Sequence, residues 1–200
     1  MNRNRNLWAA LGLFGIAAPL YLIPNHYPIF PPKELSLTWI DQWVPFWPES
    51  IWIYLSEYPF LFSAFLLLKK PESQERYLKN TFILLSLSAV TFFMFPTTYP
   101  RHLFPLPSSM DSFSRFLFDL QRAGDTPNNC FPSLHVGTVF LAALSLKENK
   151  KYFFVYLAWA LAIAFSTLTT KQHYVWDVIG GAFFGILLDK LIQLNQKSHP

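Results

Sequence analysis

Two polar clusters interrupt otherwise apolar sequence: Pro132-Ser133-Leu134-His135 at the head of one run, and His173 with Asp177 at the head of another. An ionisable group at membrane depth costs ~2.5–3.5 kcal/mol or more, so such groups persist mainly where they pair, line a cavity or do chemistry. On a helix, the spacing of His173 and Asp177 puts both side chains on one face, about 6 Å apart along the axis. A carboxylate that holds one imidazole nitrogen leaves the other to act as base or nucleophile. Such a pair alone is equally a satisfied structural contact; the second cluster gives it chemical context. Pro132 suits a helix start, where its missing N–H would have no partner anyway. Behind it, the amides of Ser133, Leu134 and His135 and the positive end of the helix dipole favour an anion such as phosphate. His135 in that first turn can protonate a leaving oxygen, a role that typically contributes about 10²–10⁴ in rate. Arg101 and Lys171 bring cations to the same side, with lipid-headgroup snorkelling as the alternative use of each.

The elements that must carry these clusters are helices in a membrane. The composition is 52% hydrophobic and 18% aromatic with only 14% charged residues, too apolar for most soluble domains of this length. The apolar residues gather in runs at about 7–23, 51–68, 81–95, 133–146, 152–168 and 174–191. Helices of about 17–20 residues rise roughly 26–30 Å, enough to cross a bilayer core. The 133–146 run is shorter, so its polar head is expected at or just inside the interface. Arg3 and Arg5 before an apolar stretch also fit a signal peptide, but Pro19 and the bulky Tyr21-Leu22-Ile23 stand where small residues would be cleaved, which favours a retained span.

Six crossings place Arg3, Arg5, Lys69, Lys70, Arg76, Lys79, Lys147, Lys150, Lys151 and Lys197 on one side, which predicts cytoplasmic termini and an outward-facing site. The net charge of +4 follows from that bias and offers no argument for nucleic-acid binding. The single Cys130 excludes an internal disulfide. In the loops assigned to the outer side, Pro24, Pro28, Pro31, Pro32, Pro45 and Pro48 alternate with aromatic residues suited to the interface. Phe113, Phe116, Leu117 and Leu120 recur at helical spacing and predict a short helix lying on the outer leaflet. Gly181 and Gly185 predict close packing of the last span. His26, His102 and His199 show no metal-site spacing; His102, after Arg101, is a possible pocket residue.

With these residues in this order, the chain resembles the type 2 phosphatidic acid phosphatase superfamily over about residues 93–185. The family's second motif, Pro-Ser-Gly-His, is similar to Pro132-Ser133-Leu134-His135. Its third, Ser-Arg, five residues, His, three residues and Asp, is similar to Ser166-Thr167 followed by His173 and Asp177. The resemblance implies a six-helix membrane core and a site without metal or cofactor. It further implies that His173 attacks phosphorus to form a phosphohistidine, Asp177 orients it, His135 protonates the leaving group, and Ser133 contacts phosphate, with Leu134 in the motif's glycine position. Of the first motif, Lys, six residues and Arg-Pro, only Arg101 remains, because Met94 and His102 occupy the other positions; Thr167 replaces the third motif's Arg. Two phosphate-binding cations are thus missing, and Lys171 is the candidate substitute for one. A phosphodiester monoanion needs less counter-charge than a phosphomonoester dianion. The strings around His135 and around Lys171-Gln172-His173-Tyr174 also look more like the inositol phosphorylceramide synthase branch.

The expectation is therefore an all-α integral membrane protein, a single domain over residues 1–200 with six transmembrane helices and one interfacial helix. It would act on a phosphorylated lipid, without metal or cofactor, in a bacterial cytoplasmic membrane. Hydrolysis of a lipid phosphate and transfer of a phosphodiester headgroup to an alcohol share the first half-reaction. A non-catalytic proton relay or lipid-binding protein is the contrasting possibility.

Overall fold

A computed structural model describes residues 3–197, with side chains described from 4 to 191. His199 and the side chains of Arg3 and Lys197 lie outside the described residues. The helices are α1 (Arg3–His26), α2 (Trp39–Trp43), α3 (Ile51–Leu55), α4 (Glu57–Leu67), α5 (Pro71–Met94), α6 (Ser112–Gly124), α7 (Leu134–Ser145), α8 (Lys150–Thr169) and α9 (Val175–Lys197). Among the described residues, four stretches, Asn4–His26, Pro48–Leu67, Pro71–Met94 and Lys150–Thr169, are long and apolar enough to cross a membrane, and Leu134–Ser145 is a shorter apolar helix.

Local chemistry sets the ends. Asp111 caps α6 by accepting from the Phe113 and Ser114 amides at 3.1 and 2.9 Å, and Asn149 caps α8 through the Tyr152 amide. α5 starts at Pro71, well before the apolar run at Thr81, because its polar first turns are covered by α1: Asn6 Nδ2 donates to the Pro71 carbonyl at 2.8 Å and to Gln74 Oε1 at 3.3 Å. The expected second span is broken at Ser56, whose hydroxyl donates to Ile53 O and accepts from Trp159 Nε1 at 2.8 Å. The all-α expectation also needs a small amendment. The loops at 27–38 and 95–100 meet in two-residue parallel strands, β1 (Lys33–Glu34) and β2 (Thr97–Thr98), pairing Lys33 with Thr97 and Glu34 with Thr98.

α7 is the hub and touches α4, α5, α8 and α9. Its buried Val139, Ala142 and Ala143 pack with Phe60, Ala64, Ala160 and Ile163. The approach of α9 is closer still. A Cβ on Gly181 would lie 2.2 Å from the Ser133 carbonyl oxygen, and one on Gly185 would lie 2.6 Å from that of Gly137. Backbone-to-backbone approach of this kind requires the small residues expected in that span. α1 packs along α5, but only 6% of its apolar window is buried, against 39% in each of the other three candidate spans, so much of its surface is open to lipid.

Candidate active site

The two clusters meet where α7 and α9 begin. α7 starts at Leu134, one residue later than expected, with Ser133 as its N-cap accepting from the Val136 amide through Oγ at 3.4 Å. The Ser133 N–H is not available to an anion, because it donates to the Asp177 carbonyl at 2.9 Å. Among the described residues, the Leu134 and His135 amides meet no capping acceptor, so the first-turn donors are these two. The bond from Ser133 N–H to the Asp177 carbonyl ties the two clusters directly together.

His173 is delivered by the end of α8. Thr170 is the C-cap, Lys171 takes a left-handed conformation (φ 54°), Lys171 N–H donates to Leu168 O, and Gln172 N–H donates to Thr167 O. These paired bonds form a Schellman cap without its usual glycine. The Thr167 carbonyl also accepts from His173 N–H at 3.2 Å, so the residue in the position of the missing Arg anchors the histidine backbone. Thr167 Oγ1 bonds back to Ala164 O and is fully buried. His173 Nδ1 lies 3.4 Å from Asp177 Oδ2, which accepts the Tyr174 amide at 2.8 Å. Asp177 is completely buried.

Around His135 the structure adds residues that motif matching passes over. Glu57, at the start of α4, lies with Oε2 2.6 Å from His135 Nε2, while its Oε1 accepts from Thr138 Oγ1 at 2.6 Å. Tyr54 stacks on the imidazole, with centroids 4.1 Å apart and planes at 21°. Gln121 of α6 reaches the Tyr54 hydroxyl at 3.5 Å. Glu57 is the lone acidic residue in the 51–68 run, which is the sequence signal for it.

Arg101 points its guanidinium inward: Nη1 donates to the Asp125 carbonyl, and Nη2 donates to Asp125 Oδ2 at 2.9 Å and to Gln172 Oε1 at 2.6 Å. Its Nε is buried without a protein acceptor. It thus stands beside the residue preceding His173. Lys171 is engaged differently from the expected phosphate-facing cation. Its ammonium donates to the Asp41 and Val44 carbonyls at 3.0 and 2.6 Å, closing α2 onto the α8–α9 turn. Burial pushes its pKa below the ordinary lysine value, and the nearby Asp41 carboxylate opposes that shift. Asp41 Oδ1 in turn accepts the Val175 amide at the head of α9. Met94 and His102 are exposed, as is His26, whose Nδ1 lies 3.1 Å from Leu22 O. The structure therefore brings His135, His173, Asp177, Ser133, Leu134 and Arg101 to one end of the bundle and gives Lys171 a latch role. Asp125 had no local sequence signal, because its partners lie far away in the chain, whereas Asp41 sits in a local Thr38-x-x-Asp41 capping box that gives no hint of its bond to Val175.

An uncharacterized protein of Methanocaldococcus jannaschii is 39% identical over 64 residues, 32% of this chain and 27% of that protein, so the match spans about a quarter of the relative's length. The sequence model of the PAP2 superfamily matches residues 38–188, from the Thr38 cap of α2 through both histidine clusters to Leu188 in α9. Long apolar helices, two histidine-bearing clusters joined at α7 and α9, and that match over three quarters of its length lead to one conclusion: the chain belongs to the PAP2 superfamily.

Proposed function

We propose that the chain cleaves a phosphate ester of a lipid at the outer leaflet through a phosphohistidine, without a metal ion. The supporting observation is the pairing of two histidines, each with its own buried carboxylate, at one end of the bundle and beside Arg101. Asp177 faces Nδ1 of His173, which leaves Nε2 as the nucleophile. The Nε2 lone pair forms the N–P bond as the bond from phosphorus to the leaving oxygen breaks, and His135 gives that oxygen its proton. Asp177 stabilises the imidazolium, while Arg101 and the amides of Leu134 and His135 hold the phosphoryl oxygens. In the second half-reaction His135 takes a proton from the incoming hydroxyl, oxygen bonds to phosphorus, and the N–P bond breaks. Glu57 and the stacked Tyr54 hold the His135 ring for both steps.

Water as acceptor gives a lipid phosphatase; an alcohol gives a headgroup transferase of the inositol phosphorylceramide synthase type. The second reading draws support from the few cations at the site, since Met94 faces outward, Thr167 is buried on its own helix and Lys171 is bound to carbonyls. Six crossings with cytoplasmic termini, in a bacterial cytoplasmic membrane, place the site on the outer side. Purified protein supplied with phosphatidic acid, prenyl diphosphate or phosphatidylinositol, each with and without a lipid alcohol acceptor and with chelator present, separates the readings. Release of inorganic phosphate from phosphatidic acid or prenyl diphosphate, or of inositol phosphate from phosphatidylinositol, identifies hydrolysis, and acceptor-dependent transfer without such release identifies the transferase. Activity abolished by chelator contradicts the metal-free mechanism, and no turnover of any of them favours a lipid-binding or proton-relay protein.

A further inference from the structure

We propose that Asp125 is a specificity-determining residue that sets the site for a phosphodiester monoanion rather than a phosphomonoester dianion; this rests on the reading that Arg101 faces the substrate phosphate. Asp125 closes α6 and is 8% exposed. Its Oδ1 accepts from Tyr21 OH at 2.7 Å and from Asn25 Nδ2 at 3.1 Å, and its Oδ2 accepts from Arg101 Nη2 at 2.9 Å and from Gln121 Nε2 at 3.3 Å. All four partners donate, so the carboxylate has no use for a proton and carries its charge.

That charge lies against the one cation left from the first motif. Arg101 gives Asp125 two of its N–H groups and Gln172 a third, and its Nε–H, buried without a protein acceptor, remains for a ligand. A guanidinium matched in this way offers hydrogen bonds but little net positive charge to a second anion. A dianion must sit beside a fixed, buried carboxylate, whereas a monoanion meets half that repulsion. Arg122, three residues before Asp125, is partly engaged elsewhere: its Nη2 donates to Phe104 O at 3.0 Å and its guanidinium lies 4.7 Å from the centroid of the Phe118 ring. Tyr21 and Asn25 belong to α1, which precedes the stretch matched by the family, so this chain holds Asp125 with residues of its own N-terminal helix.

The test compares kcat/KM for phosphatidylinositol and phosphatidic acid in mixed micelles, using full-length wild type, Asp125→Asn and Asp125→Glu. Wild type is expected to prefer the diester, Asp125→Asn to move the ratio about tenfold or more toward the monoester, and Asp125→Glu to stay near wild type. A folded Asp125→Asn protein with an unchanged ratio overturns the proposal. If that variant does not fold, wild type decides alone at pH 8: dimethyl phosphate must inhibit more strongly than phenyl phosphate, and the reverse order overturns it. Wild-type turnover of neither lipid contradicts the underlying reading of the site, and the Asp125 assignment falls with it.

Discussion

His135 and Glu57 lie 2.6 Å apart inside the bundle, and removing one partner of a buried pair is far more damaging than never having had the pair. Glu57→Gln keeps an oxygen for the Thr138 hydroxyl but loses the charge that holds the ring. Steady-state kinetics should show kcat down by about 10²-fold with KM little changed, and an altered pH–rate profile. A normal kcat would make Glu57 a structural residue only. Glu57 also shows how far single residues were legible. His135, His173 and Asp177 stand out because their spacing is short and repeats a known order, and Glu57 stands out on inspection as a lone carboxylate in an apolar run. Asp125 does not, since its meaning depends on partners such as Tyr21 and Asn25 that folding brings from a distant segment, and Asp41 is legible only as the capping partner of Thr38, not as the acceptor of the Val175 amide.

At the scale of elements, the apolar runs located the long helices, while their ends depended on polar contacts that hydropathy ignores. The start of α5 depends on Asn6, the break before α4 on Ser56, and the delivery of His173 on a Schellman cap carrying Lys171 where glycine is usual. The junction of α7 and α9 is the tightest, and Gly181→Ala tests it. The added Cβ would lie 2.2 Å from the Ser133 carbonyl oxygen, so the helices must separate. Overpacking of this kind costs about 1–3 kcal/mol, visible as a lower melting temperature together with reduced turnover. Gly12→Ala, where a Cβ meets nothing within 4 Å, should change neither.

The loop elements have their own pH limit. Burial raises the Tyr99 phenol well above its ordinary value, and neighbouring Tyr174 and Asp41 add to the shift. The unfolded chain loses that proton near pH 10 while the folded chain keeps it. The stabilisation is therefore complete below about pH 10 and is lost as pH rises further toward the folded value. Thermal melts from pH 8 to 11 should fall more steeply in wild type than in Tyr99→Phe; parallel curves would remove Tyr99 from the explanation.

For the whole molecule, the lipid-facing α1 serves more than anchorage. Its C-terminal end is stitched to residues 125–129: Asn25 Nδ2 donates to Asp125 Oδ1, Thr126 O and Asn128 O, and Tyr21 O accepts from Asn129 Nδ2 at 2.9 Å. Asn25→Leu removes the three bonds that Asn25 donates and leaves the part-buried carbonyls of residues 126 and 128 without that donor. It should lower both the melting temperature and kcat/KM, the latter because Arg101 loses its framework through Asp125. Unchanged kcat/KM would separate α1 from the site. The central claim, attack by His173 on a lipid phosphate, is tested most directly by trapping the covalent intermediate. Full-length protein in detergent is mixed with radiolabelled phosphatidic acid or headgroup-labelled phosphatidylinositol, quenched within a turnover, and mapped by mass spectrometry. The expected result is an acid-labile N–P adduct on His173 that disappears in His173→Ala; turnover with no adduct, or an adduct that persists in that variant, would contradict it.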